Sequence, residues 1–266
     1  MRMLHRFRRA FSSTQATLRS RTPTNKDITW TANYLCCDVN VRREQYCEEH
    51  STAPSESLRH IQKRTEQELT MSHMLSGTLN GQFLKMLVAM SRSKRVLEIG
   101  SYTGYTAVSM LEALPDSGEL VCVDDFSDES PAEQIFDQVI AQHPKHKLVT
   151  VYKKGALAAF PDLIADVTAN KAPPFDFVFI DADKQEQIDY VSTLLAPENK
   201  LLSEHASVVV DNTLWYSKVL PRLPGTKRHD KTTKCIDRFN KFVVADHRVD
   251  VVMLNVRDGL TIMRRR

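Results

Sequence analysis

No stretch of this chain approaches the roughly 18 consecutive apolar residues that a membrane-spanning helix needs, so no membrane span is expected. There is no C-x-x-C pair, which leaves a zinc site without its usual signature. The five cysteines, Cys36, Cys37, Cys47, Cys122 and Cys235, are odd in number. Cys36 and Cys37 are adjacent and cannot readily bridge, and Cys122 falls inside an apparent strand; all five read as reduced thiols. Internal repeats and low-complexity tracts are absent, and so is the G-x-G-x-x-G loop that cradles a dinucleotide pyrophosphate.

Acidic residues are also missing from the first 26 positions, which carry Arg2, Arg6, Arg8, Arg9, Arg19, Arg21 and Lys26. Removing those seven charges from the net +3 leaves the rest of the chain at −4, so the body offers no basic face for nucleic acid. Leu4, Phe7 and Phe11 recur at helical spacing among the arginines, with Ser and Thr around them. That is the composition of a mitochondrial transit peptide; a plastid transit peptide and a plain basic tail of a cytoplasmic protein are the alternatives. Residues 27–56 read as an irregular N-terminal extension ending in "STAPSES", a linker or helix cap.

The 266 residues suffice for a sizeable core, and the 42% apolar and 26% charged composition is that of a soluble globular protein. From residue 57 to 91 the apolar spacing is helical, with a break expected at Gly77 and Gly81 in "SGTLNGQ". Strands and helices then alternate. Strands are expected at 95–99, 119–123, 147–152, 175–180 and 206–210, and a closing pair at 249–255 and 260–263. Helices are expected at 105–114, 131–142, 156–168, 186–195 and 232–244. Such alternation predicts an α/β fold with a doubly wound, mostly parallel sheet covered on both faces.

In such sheets ligands gather at the carboxyl ends of the strands. The first strand runs into "VLEIGSYTGYTAV", where Gly100 and Gly104 let a ligand approach the backbone. Asp124 ends the second strand, placed to accept hydrogen bonds from ribose hydroxyls. With no phosphate loop, this end suits an adenosyl ligand that carries no phosphate. The fourth strand, "FDFVFI", stops on Asp181, followed by Asp183 and Lys184, and the fifth, "SVVV", stops on Asp211 and Asn212. Three hard oxygen donors at adjacent strand ends suit magnesium or a similar divalent cation. Asp and Asn also cap helices, and either acid alone would read that way; two such strand ends in one sheet favour the cation.

Five blocks in order, "NGQFLKML", "RVLEIGSYTGYTAV", "FDFVFIDADK", "VVVDNTLW" and "VRDGLTIMRR", resemble the cation-dependent O-methyltransferases, the family of caffeoyl-coenzyme A and catechol O-methyltransferases. The resemblance covers about 200 residues, taking in residues 57–266 as the methyltransferase domain. It implies a Rossmann-like seven-stranded sheet with an antiparallel closing strand, S-adenosylmethionine as donor, a divalent cation and a homodimer. Carried over by position, Glu98, Gly100, Tyr102 and Thr106 line the methionine and sugar part of the donor. Asp124 takes the ribose, Ala156 lies by the adenine, Met74 and Ser76 come from the helix break, and Asp183 joins the donor site. Asp181, Asp211 and Asn212 become the metal ligands, Lys184 the catalytic base and Trp215 part of the substrate-side loop.

The implied reaction methylates a hydroxyl of a catechol-like or vicinal-diol small molecule, or of its coenzyme A ester. A cation that stabilises the phenolate, and in-line positioning, would supply much of the rate. Departures from the family pattern gather near the acceptor: "LLSEHAS" stands where a Gly-Gly turn is usual, Tyr216 or Ser217 replaces a loop glycine, and residues 221–233 are untypical. A catalytically silent binding protein and a nicotinamide-dependent dehydrogenase remain the alternatives, the latter disfavoured by the missing phosphate loop.

Overall fold

The computed structural model describes residues 42–127, 130–221 and 230–266. The expected transit peptide, Cys36, Cys37 and most of the untypical 221–233 stretch lie outside these residues. The described residues divide into two units at His50 and Ser51. In the first, residues 42–49 are helical where irregular chain was expected. The segment "RREQYCEE" is rich in helix-favouring Arg, Glu and Gln, yet it has no apolar stripe to announce itself.

The second unit opens with α1 (Glu56–Glu68), capped where Ser55 Oγ accepts the Leu58 amide at 3.2 Å. The chain leaves helix at Leu69, makes a 3₁₀ turn at Ser72–Met74 and re-enters α2 (Gly77–Ser91). The break therefore precedes Gly77, and Gly81 sits inside the helix. Its role is contact. A Cβ at position 81 would stand 2.7 Å from both Ser109 Oγ and Tyr105 Cε1 of α3 (Tyr105–Ala113), so glycine lets the two helices touch.

The alternation that follows is β1 (Arg95–Ile99), α3, β2 (Glu119–Val123), α4 (Ser130–Gln142), β3 (Val149–Tyr152), α5 (Ala156–Thr168), β4 (Phe175–Ile180), α6 (Gln187–Leu195), β5 (Leu202–Val210), α7 (Lys231–Val244), β6 (Val249–Leu254) and β7 (Leu260–Arg265). One seven-stranded sheet results, in the order β3-β2-β1-β4-β5-β7-β6. The first five strands are parallel, and β7 runs antiparallel to both β5 and β6.

Successive strand residues face opposite layers, so the central strand β4, from Phe177 onward, and the carboxyl-terminal half of β5 are apolar on both faces. Leu97, Ile99, Val178 and Ile180 pack with residues of α5, α6 and α7, whereas Val96, Leu120, Phe177 and Phe179 pack with residues of α1 to α4. Glu98 shares the second face with Val96 and is fully buried there.

Two strand starts differ from the sequence pattern. The third strand starts at Val149 because a 3₁₀ turn occupies His146–Leu148. The fifth starts at Leu202, four residues early. Phe175 pairs with Leu202 but Phe177 pairs with Ser207, so "SEHA" forms a bulge whose Glu204 and His205 are exposed. Polar residues in that bulge hide the strand from an apolar-run reading.

Filling position 81 tests the helix contact. Gly81→Val should destabilise the protein by about 1–3 kcal/mol through overpacking against α3. Urea unfolding measures it, and an unchanged midpoint would show that α2 and α3 have room to separate.

Candidate active site

The site lies where four parallel strands end side by side. The Gly100 amide donates to the Val123 carbonyl at 2.9 Å, the Asp181 amide to the Ile99 carbonyl at 2.7 Å, and the Asp211 amide to the Ile180 carbonyl at 3.0 Å. One residue past each strand, the ladder therefore sets Gly100, Asp181 and Asp211 in a row. Strand order reverses between β1 and β4, the place where open α/β sheets leave a crevice.

Gly100 has φ +92°, and a Cβ there would sit 2.6 Å from the main-chain carbon and oxygen of Asp181. Only glycine permits that approach. Tyr102 also takes a left-handed φ of 49°, and Gly104 at +88° opens α3. Asp124 holds this loop: one carboxylate oxygen accepts the amides of Ser101 (2.6 Å) and Tyr102 (2.9 Å), the other that of Phe126 (2.7 Å). Three of its roughly four acceptor positions are thus engaged by the backbone, so Asp124 builds the loop as well as facing it.

Beneath the loop, Glu98 accepts from Ser101 Oγ at 2.5 Å, while its Oε1 meets no hydrogen-bond donor among the described residues. Burial pushes its carboxyl up to about 7, against the hydrogen bond from Ser101. Thr106, buried in the first turn of α3, faces the same carboxyl. Ala156 is buried at the start of α5 next to Gly155, around which space is open. Met74 and Ser76 are half-buried in the turn that leads into α2.

At the ends of β4 and β5, Asp181 and Asp211 bring two carboxylates together. Asp181 Oδ1 accepts from Lys184 Nζ at 2.5 Å, and both side chains are largely buried. Asp211 is 2% exposed; Oδ2 accepts from Asn80 Nδ2 at 2.9 Å and Oδ1 from the Asn212 amide at 2.6 Å. Burial first, and then the charge of Asp181, push the Asp211 carboxyl up to about 7, with Lys184 opposing. Asp183 is exposed, and its Oδ1 takes the Gln185 amide at 2.8 Å, so this acid caps a turn.

Asn212, at φ 58°, donates from Nδ2 to Asp258 Oδ2 at 3.4 Å. Asp258 stands in the turn between β6 and β7 and also accepts the Tyr216 amide; burial raises its carboxyl pKa. The backbone there pins the loop that carries Trp215, since the Leu214 amide donates to the Asp258 carbonyl (2.8 Å) and that of Thr213 to the Gly259 carbonyl (3.1 Å). Trp215, Tyr216 and Ser217 all have left-handed φ, between 47° and 60°. That is where the sequence has lost a glycine, and each such residue costs about 1–2 kcal/mol. Trp215 Nε1 is buried with no partner among the described residues.

Asn80 and Asp258 are the site residues that sequence reasoning missed. Both stand in the quoted blocks, "NGQF" and "VRDGL", but their partners are 131 and 46 positions away. No group of three or more His, Cys, Asp or Glu side chains with metal-binding geometry occurs among the described residues. The candidate cation cup is instead two carboxylates and an amide. Its chemistry fits a hard divalent ion, because a cation would offset the buried negative charge that Asp211 carries beside Asp181.

A family model described as O-methyltransferase matches residues 48–266. Caffeoyl-CoA O-methyltransferase of Populus kitakamiensis is 31% identical over 230 residues, covering 84% of this chain and 92% of that protein. Tricin synthase 1 of Oryza sativa subsp. japonica is 33% identical over 195 residues, covering 72% of this chain and 75% of its own. Among solved structures, the SAH-bound methyltransferase PaMTH1 of Podospora anserina superposes with a TM-score of 0.72 at 23% identity, over 94% of this chain and all of that one. The O-methyltransferase TomG of Streptomyces achromogenes, in complex with SAM, gives 0.70 at 24% identity, over 84% and 96%. At these identities the superpositions speak to fold alone.

The raised Glu98 carboxyl sets a pH dependence. Between the ordinary value of 4.5 and about 7 the folded protein keeps a proton that the unfolded chain has lost. Stability therefore falls as pH rises through that window, and Asp211 adds a decline of the same sign. Glu98→Gln should flatten the fall between about pH 5 and about pH 7.5 by roughly 1–3 kcal/mol. An identical pH slope in urea unfolding of the variant would show that Glu98 is charged in the folded protein throughout.

Proposed function

We propose that this chain, which belongs to the O-methyltransferase family, transfers the methyl group of S-adenosylmethionine to a hydroxyl of a catechol-like or vicinal-diol small molecule or its coenzyme A ester, with a divalent cation held by Asp181, Asp211 and Asn212. The carrying observation is the row of strand ends that sets a glycine loop beside two carboxylates, one of them buried and raised to about 7. Support for the donor comes from the SAH and SAM bound to the Podospora and Streptomyces neighbours, and from Glu98. Its unpartnered buried Oε1 needs a donor, which the ammonium of a methionine moiety supplies.

A divalent cation, magnesium being the first choice for oxygen ligands, supplies stabilisation of a phenolate and orients it. The residues do the rest. Tyr102, Thr106 and the Asp124 loop bind and orient the donor, so that the sulfonium methyl faces the acceptor oxygen; Met74, Ser76, Ala156 and Asp183 border it. As the methyl moves to oxygen, the carbon–sulfur bond breaks and its electron pair stays on sulfur as a thioether. The hydroxyl proton goes to Lys184 Nζ, which must first have given up its own third proton. Trp215 closes the acceptor side.

We also propose import into mitochondria, on the acid-free, Arg-rich composition of residues 1–26. A reporter fused to the full chain should enter mitochondria and one lacking residues 1–26 should stay in the cytosol; import of the truncated fusion would refute this.

Asp181→Ala should lower methylation of a catechol with magnesium by several kcal/mol in the barrier, a hundredfold or more, with S-adenosylhomocysteine binding retained. Radiolabelled methyl transfer and calorimetry measure the two. Catechol turnover by that variant in EDTA, equal to wild type in magnesium, would sink the cation assignment.

A further inference from the structure

Asn80 belongs to none of the roles above. It lies on α2, three residues after Gly77, and is 1% exposed. Its Nδ2 donates to Asp211 Oδ2 at 2.9 Å, across 131 positions of sequence, while its Oδ1 has no partner among the described residues. A buried amide whose oxygen is left without a partner costs about 1–3 kcal/mol relative to a satisfied one. An apolar residue would pack on this helix without that cost, so simple core packing does not account for it.

The carboxylate settles how the amide is turned. In the ionised form that a cation would bind, the Asp211 carboxylate only accepts, so the NH₂ faces Asp211 and the oxygen faces away. Asp211 is then gripped from two directions: Oδ2 by Asn80 and Oδ1 by the Asn212 amide at 2.6 Å. Rotating the carboxylate breaks one bond or the other. A lysine in place of Asn80 would also hold it, but would cancel the negative charge that a cation requires. A neutral donor fixes orientation and leaves the charge.

We propose that Asn80 is a positioning residue that holds the buried Asp211 carboxylate in its cation-binding orientation. This rests on the reading of Asp181, Asp211 and Asn212 as cation ligands. Asn80 touches neither donor nor acceptor in this role; it acts through Asp211. Such partners of ligating carboxylates typically contribute 10–100-fold in metal affinity.

Manganese is the probe, since it prefers oxygen ligands and its free form is counted by electron paramagnetic resonance. Wild type, Asp181→Ala and Asn80→Leu are titrated with manganese alone, and their S-adenosylhomocysteine affinities are measured by calorimetry in EDTA. Asn80→Leu, which keeps bulk and removes the donor, should bind manganese roughly 10–100-fold more weakly while S-adenosylhomocysteine binds as in wild type. Should the leucine variant not fold, Asn80→Ala carries the same reading without added bulk. Manganese affinity equal to wild type in the Asn80 variant, with Asp181→Ala deficient, overturns the positioning role and leaves the cation reading standing. Parallel loss of manganese and S-adenosylhomocysteine affinity marks a purely structural residue and also overturns it. If wild type shows no manganese binding that Asp181→Ala removes, the cation reading falls and this role falls with it.

Discussion

Three backbone hydrogen bonds govern the site: Gly100 to Val123, Asp181 to Ile99 and Asp211 to Ile180. Each amounts to about 1 kcal/mol, a modest contribution to stability. Their importance is positional. Side chains alternate along a strand, so a slip of one residue would turn Asp181 or Asp211 to the other face. The apolar strands behind them fix that register by filling both layers of the core. Chemistry at the end of the sheet thus rests on Val178, Ile180, Val208 and Val210, none of which carries a reactive group.

The strand ends were legible because the chain states them in two alphabets, an apolar run and then a carboxylate. β4 reads from Phe175 to Ile180 as it stands in the fold. Where one alphabet is missing, reading fails for a physical reason. The bulge in β5 places Glu204 and His205 in water within a strand, and the pattern looks like a loop. Gly81 looks like a helix break because glycine has two uses, and only the neighbouring α3 shows that contact is the one in force. Asn80 and Asp258 illustrate the remaining limit. Each meets the site through polar contacts with residues distant in sequence, which periodicity cannot register.

Electrostatically the crevice is a set of acids kept from water. Glu98 and Asp211 are both raised by burial, and Asp211 further by Asp181. Lys184 is the cation that meets Asp181 directly. Burying carboxyl groups without matching cations works against folding. Their retention in one crevice fits a site whose charge is completed by what it binds.

The close approach of Gly100 to Asp181 has a bearing on how damage would spread. The backbone of the Gly100 loop and the backbone that carries Asp181 share one van der Waals surface, with no side chain between them as a cushion. A displacement on either side presses directly on the other. A lesion in that loop would therefore disturb the placing of Asp181 as well as the loop itself. The two halves of the site are separate in chemistry and a single part in mechanics.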